Sequence, residues 1–278
     1  MKHNIIISPF LKWAGGKRQL LPVILEQLPA QIETYEYIEP FIGGGAVLFH
    51  LQPATATIND YNEELINTYQ IVKNNLAELI KELRKHKNEA AYFYQLRNLD
   101  RKPAYEKLPP VKKAARIIYL NKTCYNGLYR VNSEGKFNTP FGKYKNPAIV
   151  NEEVLTAVSN YLNENNIDIC CGDYKQVLKK ATRKSFVYMD PPYHPLSKSS
   201  SFTGYVKGGW TEADQTALKE QCDVLHRKGI KFLLSNSSAP LIKELYSEYT
   251  QINVKASRTI NSKGTMRGQI DELLIKNY

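Results

Sequence analysis

The residues with the clearest chemistry are Asp190-Pro191-Pro192-Tyr193, which follow Ser185-Phe186-Val187-Tyr188-Met189. The preceding run is rich in β-formers and reads as a buried strand. Pro191 and Pro192 end it, because proline has no N–H for a ladder and its fixed φ holds the turn stiff. Asp190, the Pro191 carbonyl and the Tyr193 ring are thereby gathered at the carboxyl end of a strand, where open α/β sheets bind ligands. A carboxylate beside a carbonyl accepts both hydrogens of an exocyclic amino group. An aromatic face stacks on the flat ring that carries the amine. The tetrad therefore describes a pocket for a nucleobase amine, although a plain strand-and-turn can share its four letters, so the rest of the chain decides.

The elements that must position such a pocket surround it in sequence. Tyr35-Glu36-Tyr37-Ile38-Glu39-Pro40-Phe41 reads as a strand running into Ile42-Gly43-Gly44-Gly45-Ala46, with a helix from about Ala46. This strand, glycine turn and helix let a ligand approach the backbone closely. Leu48 stands where the third glycine of a dinucleotide fingerprint would be, so a pyrophosphate cradle is missing. A second strand, Ala56-Thr57-Ile58-Asn59-Asp60, ends in an acid that can accept both hydroxyls of a ribose. Together they predict a nucleoside site without a diphosphate.

At the start, Phe10-Leu11-Lys12-Trp13-Ala14-Gly15-Gly16-Lys17 precedes a short amphipathic helix from Gln19 to about Leu28. A phosphate loop needs a further upstream glycine and Ser or Thr after the lysine, but Arg18 follows Lys17, which argues against a nucleoside triphosphatase. A Trp and a Lys flanking a glycine turn suit a small zwitterion instead.

Residues 63–99 are predicted helical and charged, Pro103, Pro109 and Pro110 break the pattern, and a helix follows over 111–121. In the stretch 124–138, the turn signals Asn126-Gly127 and Glu134-Gly135 lie among β-prone residues and predict a hairpin, extended by Pro140-Phe141-Gly142-Lys143-Tyr144-Lys145. Alternating aromatic and basic side chains on a protruding loop suit base wedging and phosphate or guanine contact. The α/β pattern then resumes, with a strand at 167–171 ending in Gly172-Asp173-Tyr174. A Ser-rich loop over 195–209 is expected to fold over substrate. Thr211 is expected to cap a helix through Arg227 that Gly229 ends, before a strand at 230–236. An antiparallel pair, 251–256 and 272–278, completes the sheet.

Composition narrows the partners. Among 278 residues, 38 Lys and Arg against 27 Asp and Glu give a net charge of +11, which favours a polyanion. The four cysteines form no CxxC pair and the five histidines are scattered, so a reduced cytoplasmic protein without metal is expected. No apolar run approaches the ~18 residues of a membrane span.

Taken in order, these blocks resemble the Dam-type (D12 class, alpha-group) DNA adenine-N6 methyltransferases. The resemblance rests on residues 10–17, Glu39-Pro40-Phe41-Ile42-Gly43-Gly44-Gly45, Asn59-Asp60, Tyr125-Asn126-Gly127-Leu128-Tyr129-Arg130, Phe137-Asn138-Thr139-Pro140-Phe141-Gly142-Lys143-Tyr144 and Asp190-Pro191-Pro192-Tyr193. It implies an α/β, Rossmann-like fold with a seven-stranded mixed sheet binding S-adenosylmethionine. The catalytic domain would comprise 1–62 and 151–278, and 63–150 would be an inserted helical recognition domain bearing a β-hairpin.

The resemblance also implies roles. Trp13 and Lys17 would meet the cofactor's methionine end, Lys17 its carboxylate. Phe41, Gly43 and Gly45 would line its path, Asp60 would hold the ribose, and Asp173 with Tyr174 would lie near its adenine. Asp190, which also neighbours the cofactor, and Pro191 would hold the target amine, with Pro192 stiffening the turn and Tyr193 stacking on the flipped adenine of duplex DNA. In GATC, Arg130 would read one guanine and Lys12 the other. Leu128 and Pro140 would touch a thymine methyl, Tyr125 would wedge into the duplex, and Asn126 would help fill the vacated site. Lys143, before Tyr144, stands where an arginine is usual; it keeps a phosphate's point charge but loses the planar fork. No obligate protein partner is implied. Cytosine-N4, RNA-adenine and protein-glutamine methylation share the chemistry, and a DNA-binding module without catalysis is the non-enzymatic alternative.

Overall fold

The structure, a computed structural model, describes residues 7–13, 15–195, 209–257 and 269–278. The greater part of the Ser-rich loop lies outside the described residues. Seven strands form one sheet: β1 (Glu36–Glu39), β2 (Thr55–Asp60), β3 (Asn166–Cys171), β4 (Ser185–Met189), β5 (Lys231–Ser237), β6 (Thr250–Ser257) and β7 (Gln269–Lys276). Their order is β3-β2-β1-β4-β5-β7-β6. The first five are parallel, and β7 runs antiparallel to both β5 and β6. The chain leaves β1 towards β3 on one side and returns to β4 on the other, so the direction of winding reverses between β1 and β4. The crevice beyond such a reversal is where doubly wound sheets bind their ligands.

Alternation along the strands builds two cores, because successive side chains point to opposite faces. Tyr37, Phe186, Tyr188, Leu233 and Leu274 face one side. Ile38, Val187, Met189, Phe232, Leu234 and Leu273 face the other. The helices are α1 (Leu21–Glu26), α2 (Ala46–Leu51), α3 (Glu63–Asn74), α4 (Leu76–Leu83), α5 (Ala90–Arg97), α6 (Pro110–Thr123), α7 (Glu152–Glu164), α8 (Tyr174–Leu178), α9 (Glu212–Arg227) and α10 (Pro240–Leu245). Buried residues of α1 to α7 join the first core, whereas α8, α9 and α10 join the second. None of the described helices is long and apolar enough to cross a membrane.

The first helix is shorter than its sequence pattern, with a 3-10 turn at Lys17–Gln19 before it. The single helical run expected over 63–99 is three helices. Asn75 leaves helical geometry at φ −136° while its N–H still caps the Ile71 carbonyl. Helix α9 begins and ends as its sequence signals: Thr211 and Asp214 form a reciprocal capping box, and Gly229 follows the end at φ +69°.

The stretch after α6 folds back on itself without a regular ladder. Two isolated antiparallel bridges, Cys124 to Phe141 and Val131 to Phe137, replace the expected strands. Between them, single backbone bonds from Asn132 to Lys136 and from Asn138 to Arg130 are joined by side chains: Asn132 Oδ1 accepts the N–H groups of Glu134 and Lys136, and Asp100 Oδ2 accepts that of Phe137. Asp100 is itself paired with the buried Arg116 at 2.8 Å. Arg116 also donates to the carbonyls of Leu96 and Arg97, so one guanidinium ties α5, α6 and the hairpin together.

Candidate active site

The carboxyl ends of β1 and β4 place two acids side by side. Glu39 is buried and accepts the Tyr37 hydroxyl at 2.8 Å. Burial pushes its carboxyl well above the ordinary range, opposed by that hydrogen bond and reinforced by the charges of Asp190 and Asp60. Asp190 follows β4, one-fifth exposed, with Lys17 Nζ 2.8 Å from its Oδ1. That contact is one of charge: among the described residues no donor is aligned on this buried oxygen. Burial raises the Asp190 carboxyl to about 6, the Lys17 charge opposes the rise, and Glu272 adds to it. An ionisable group perturbed by both burial and a charge partner, at a strand end in the crevice, marks a functional site.

The proline turn is pinned from three directions. Gln215 of α9 donates to the Pro192 carbonyl at 3.0 Å and accepts from Asn236 of β5, also at 3.0 Å. Asn236 Oδ1 in turn accepts the His194 N–H at 3.3 Å. The Tyr193 hydroxyl donates to Glu272 of β7 at 2.7 Å, and Lys17 Nζ lies 4.7 Å from the centre of the Tyr193 ring. Pro191 is buried at the base of this turn.

The glycine turn lies next to it. Gly43 and Gly45 have φ +49° and +71°, a region open to glycine at little cost. A side-chain carbon on Gly43 would come within 2.9 Å of the Trp13 ring, and one on Gly45 within 2.7 Å of the Tyr69 hydroxyl. Asp60 accepts the Gly43 N–H at 3.1 Å and the Asn62 N–H at 3.0 Å, one on each oxygen. A carboxylate offers about four acceptor sites, so these backbone groups leave acceptor capacity for a ligand. Asn59 ties the neighbouring strand ends, donating to the carbonyls of Pro40 and Gly172, each at 3.0 Å. Phe41, Tyr174 and Trp210 form an aromatic cluster with ring centres 5.1 to 5.9 Å apart. Asp173 caps α8 through the Lys175 N–H at 2.9 Å.

One segment joins this crevice to the hairpin. Asn121 accepts the Lys12 N–H at 2.9 Å and donates to the carbonyls of Lys12 and Gly127, which fixes Lys12 against the turn. Trp13 stacks on Tyr129 at 4.5 Å and 20°. Lys12 leaves its side chain exposed; burial lowers the Lys122 ammonium, and the charges of Lys12 and Arg18 add to that fall. On the hairpin, Tyr125 is 56% exposed and Asn126 sits in left-handed geometry at φ +57°. Leu128 is half-buried and Pro140 exposed. Arg130 is held by Asn138 through Nε at 2.7 Å. Lys143 is exposed at φ +56°, and Asn88 donates to the Tyr144 carbonyl at 2.7 Å.

The crevice thus brings together Lys17, Phe41, Gly43, Asp60 and Asp190–Tyr193, with Trp13 bridging to the hairpin residues. Lys17, expected at a cofactor's carboxylate, lies on Asp190 and Tyr193. Glu39, Tyr69, Asn121, Trp210, Gln215, Asn236 and Glu272 also build the site without having been assigned roles from sequence. Only Glu39 carried a local signal, as the acid that opens Glu39-Pro40-Phe41.

Comparison with known proteins agrees with this geometry. Residues 13–260 match the family model for D12 class N6 adenine-specific DNA methyltransferase. The chain is 46% identical over 280 residues to the Type II methyltransferase M1.LlaDCHI of Lactococcus lactis subsp. cremoris, covering 100% of this chain and 98% of that one. It is 44% identical over 292 residues to the Type II methyltransferase M.MjaIII of Methanocaldococcus jannaschii, covering 98% and 99%. The DNA adenine methylase of Escherichia coli is 36% identical over 278 residues, covering 99% and 95%. A sheet with the winding reversal at β1 and β4, a proline-stiffened acid beside it and full-length likeness to these enzymes place the chain in the D12 class of N6 adenine-specific DNA methyltransferases.

Proposed function

We propose that the protein transfers the methyl group of S-adenosylmethionine to N6 of adenine in duplex DNA, within GATC, and that the adenine leaves the duplex to react. The observation that carries this reading is the Asp190 carboxylate: half-buried at the end of β4, beside the glycine turn, with an oxygen that lacks an aligned donor among the described residues.

The donor set fits S-adenosylmethionine. Asp60 has acceptor capacity left for ribose hydroxyls, Gly43 and Gly45 let the turn pack closely on Trp13 and Tyr69 beside it, and Phe41, Tyr174 and Trp210 offer aromatic surface for an adenine. Lys17 and Trp13 flank the opposite end, where a methionine carboxylate and ammonium would lie. When bound, this cofactor supplies an electrophilic methyl on a sulfonium.

Adenine N6 is a weak nucleophile because its lone pair is delocalised into the ring. Asp190 and the Pro191 carbonyl, accepting its two hydrogens, favour a pyramidal nitrogen and return the lone pair to it. The freed lone pair would be the nucleophile for that methyl, and the proton the nitrogen loses would pass by way of the Asp190 carboxylate to solvent. Positioning and local charge supply most of the rate. An amine stacked in a duplex cannot reach a pocket at a strand end, so the base must swing out onto Tyr193. Exposed Tyr125 is placed to enter the gap. Arg130 is held by Asn138 through Nε at 2.7 Å and one terminal nitrogen at 3.4 Å, which leaves its other terminal nitrogen for a guanine edge, and exposed Lys12 and Lys143 add positive charge.

Incubation with methyl-labelled S-adenosylmethionine and duplexes that differ only in their GATC sites tests this directly. Label in N6-methyladenine that depends on GATC is expected. Label in cytosine, or equal label in both duplexes, would refute the substrate assignment.

A further inference from the structure

The Tyr193 ring is restrained in two independent ways. Its hydroxyl donates to Glu272 Oε2 at 2.7 Å, and Lys17 Nζ sits over the ring at 4.7 Å from its centre. A tyrosine hydroxyl lies on the axis about which the ring spins. A bond at that oxygen therefore fixes where the axis points and leaves the spin free. A cation over the face restrains the spin and occupies that face. Only one face then remains for a base.

Glu272 is well placed to hold the axis. It stands on β7 between β5 and β6, opposite Ser237 and Val254, so ladders on both sides set its backbone. The turn that carries Tyr193 is meanwhile pinned through Gln215 and Asn236. The phenol thus has a firm backbone below it and a firm acceptor at its tip.

We infer that Glu272 is a positioning residue for methyl transfer, which through the Tyr193 hydroxyl aims the free face of that ring at the target adenine. This rests on the reading that the extruded base stacks on Tyr193. It adds that tyrosine, rather than any aromatic, is required there, because only tyrosine has a tip that Glu272 can hold. Glu272 also contributes charge at the site, where Asp190 is faced by Lys17 from the opening segment, Glu39 from β1, and Tyr188 and Tyr193 from its own strand and turn.

Three single variants and one double variant test the inference in the full-length enzyme. Glu272→Leu removes the acceptor, and kcat should fall by about 10–100-fold, as for other small misplacements of a reacting group, with DNA Kd unchanged. Tyr193→Phe keeps the stacking ring but removes the donor, and should lose a similar factor. The double variant should then be no slower than the worse single variant, because both break one bond. Glu272→Gln retains an acceptor and should recover most of the rate, with the acid limb of its pH profile moved to lower pH by loss of a negative neighbour. Fluorescence of 2-aminopurine at the target adenine should report weaker stacking in the leucine and phenylalanine variants and near-native stacking in the glutamine one.

Full activity in Glu272→Leu, or multiplied losses in the double variant, would overturn the positioning role. A Glu272→Gln enzyme as slow as the leucine variant, with an unmoved acid limb, would also overturn it. A native enzyme that places no methyl on adenine would instead sink the underlying reading. Thermal unfolding and DNA binding of each variant separate lost positioning from lost fold.

Discussion

Replacing Lys17 by methionine should move the acid limb of the rate profile to higher pH. Lys17 is buried, and its ammonium lies 2.8 Å from Asp190. The Asp190 carboxyl stands at about 6 because burial raises it while Lys17 holds it down. At that value it is about nine-tenths ionised at pH 7. An opposite charge at this range lowers a carboxyl by roughly 1–3 pH units, so its removal lifts the limb by about the same amount. Between about half and a hundredth of the enzyme then keeps an ionised Asp190 at pH 7. The sign follows from the acid: its charged form, the proposed acceptor of N6 hydrogens, is lost as pH falls through the folded value, and methionine raises that value. The same rise means that Asp190 favours the fold most below the ordinary carboxylate range and loses that contribution as pH rises through about 6. The assay is kcat/KM for DNA from pH 5 to 9.5 at saturating methyl donor. The expected result is a loss of about 2–100-fold at pH 7 that is largely recovered at alkaline pH. A uniform loss at every pH, or a limb moved to lower pH, would refute the ion pair as the control on Asp190.

Other expectations follow from the same contacts. Arg130→Ala should relax discrimination at one guanine by about 1–3 kcal/mol, measured as the ratio of kcat/KM on cognate and substituted duplexes. Lys143→Ala should weaken binding to all sequences alike and flatten the slope of log Kd against log salt by about 0.9. Asn121→Leu should destabilise the fold by about 1–3 kcal/mol in chemical denaturation, because it strands the backbone groups of Lys12 and Gly127 that this amide satisfies. Gly45→Ala should cost at least about 1 kcal/mol of stability and raise the KM for methyl donor, since its carbon would meet the Tyr69 hydroxyl at 2.7 Å.

The parallel half of the sheet was legible because each strand is a short β-prone run stopped by an acid, a proline or a glycine. Glu39-Pro40, Asp60 and Asp190-Pro191 mark three strand ends, and the structure lines them up at one edge of the sheet. Capping chemistry was equally local: Thr211, Asp214 and Gly229 delimit α9 without reference to the rest of the fold. The hairpin was legible as a turn and not as a ladder. Only some of its N–H groups find backbone carbonyls across the hairpin; others go to Asn132 and Asp100, and no alternation of side chains encodes a bond to an acid 37 residues away. The break at Asn75 was missed because hydrophobic spacing continues across it from α3 into α4.

The support around the proline turn was illegible for the same reason. Glu272 and Tyr193 are 79 residues apart, and Gln215 and Pro192 meet only once α9 has packed on the sheet. An acid in the middle of the last strand looks from sequence like a solvated position. Trp13 is ambiguous by chemistry: its ring lies against the glycine turn and also stacks on Tyr129, so it belongs to the crevice and to the hairpin at once.

The most direct test is the single-turnover rate of methyl transfer from bound labelled donor in the native enzyme and in Asp190→Asn, with DNA Kd measured beside it. Loss of the carboxylate should slow the chemical step by about 100-fold or more while DNA binding stays within about threefold. A chemical step in Asp190→Asn as fast as in the native enzyme would contradict the claim that this acid grips the amine that accepts the methyl group.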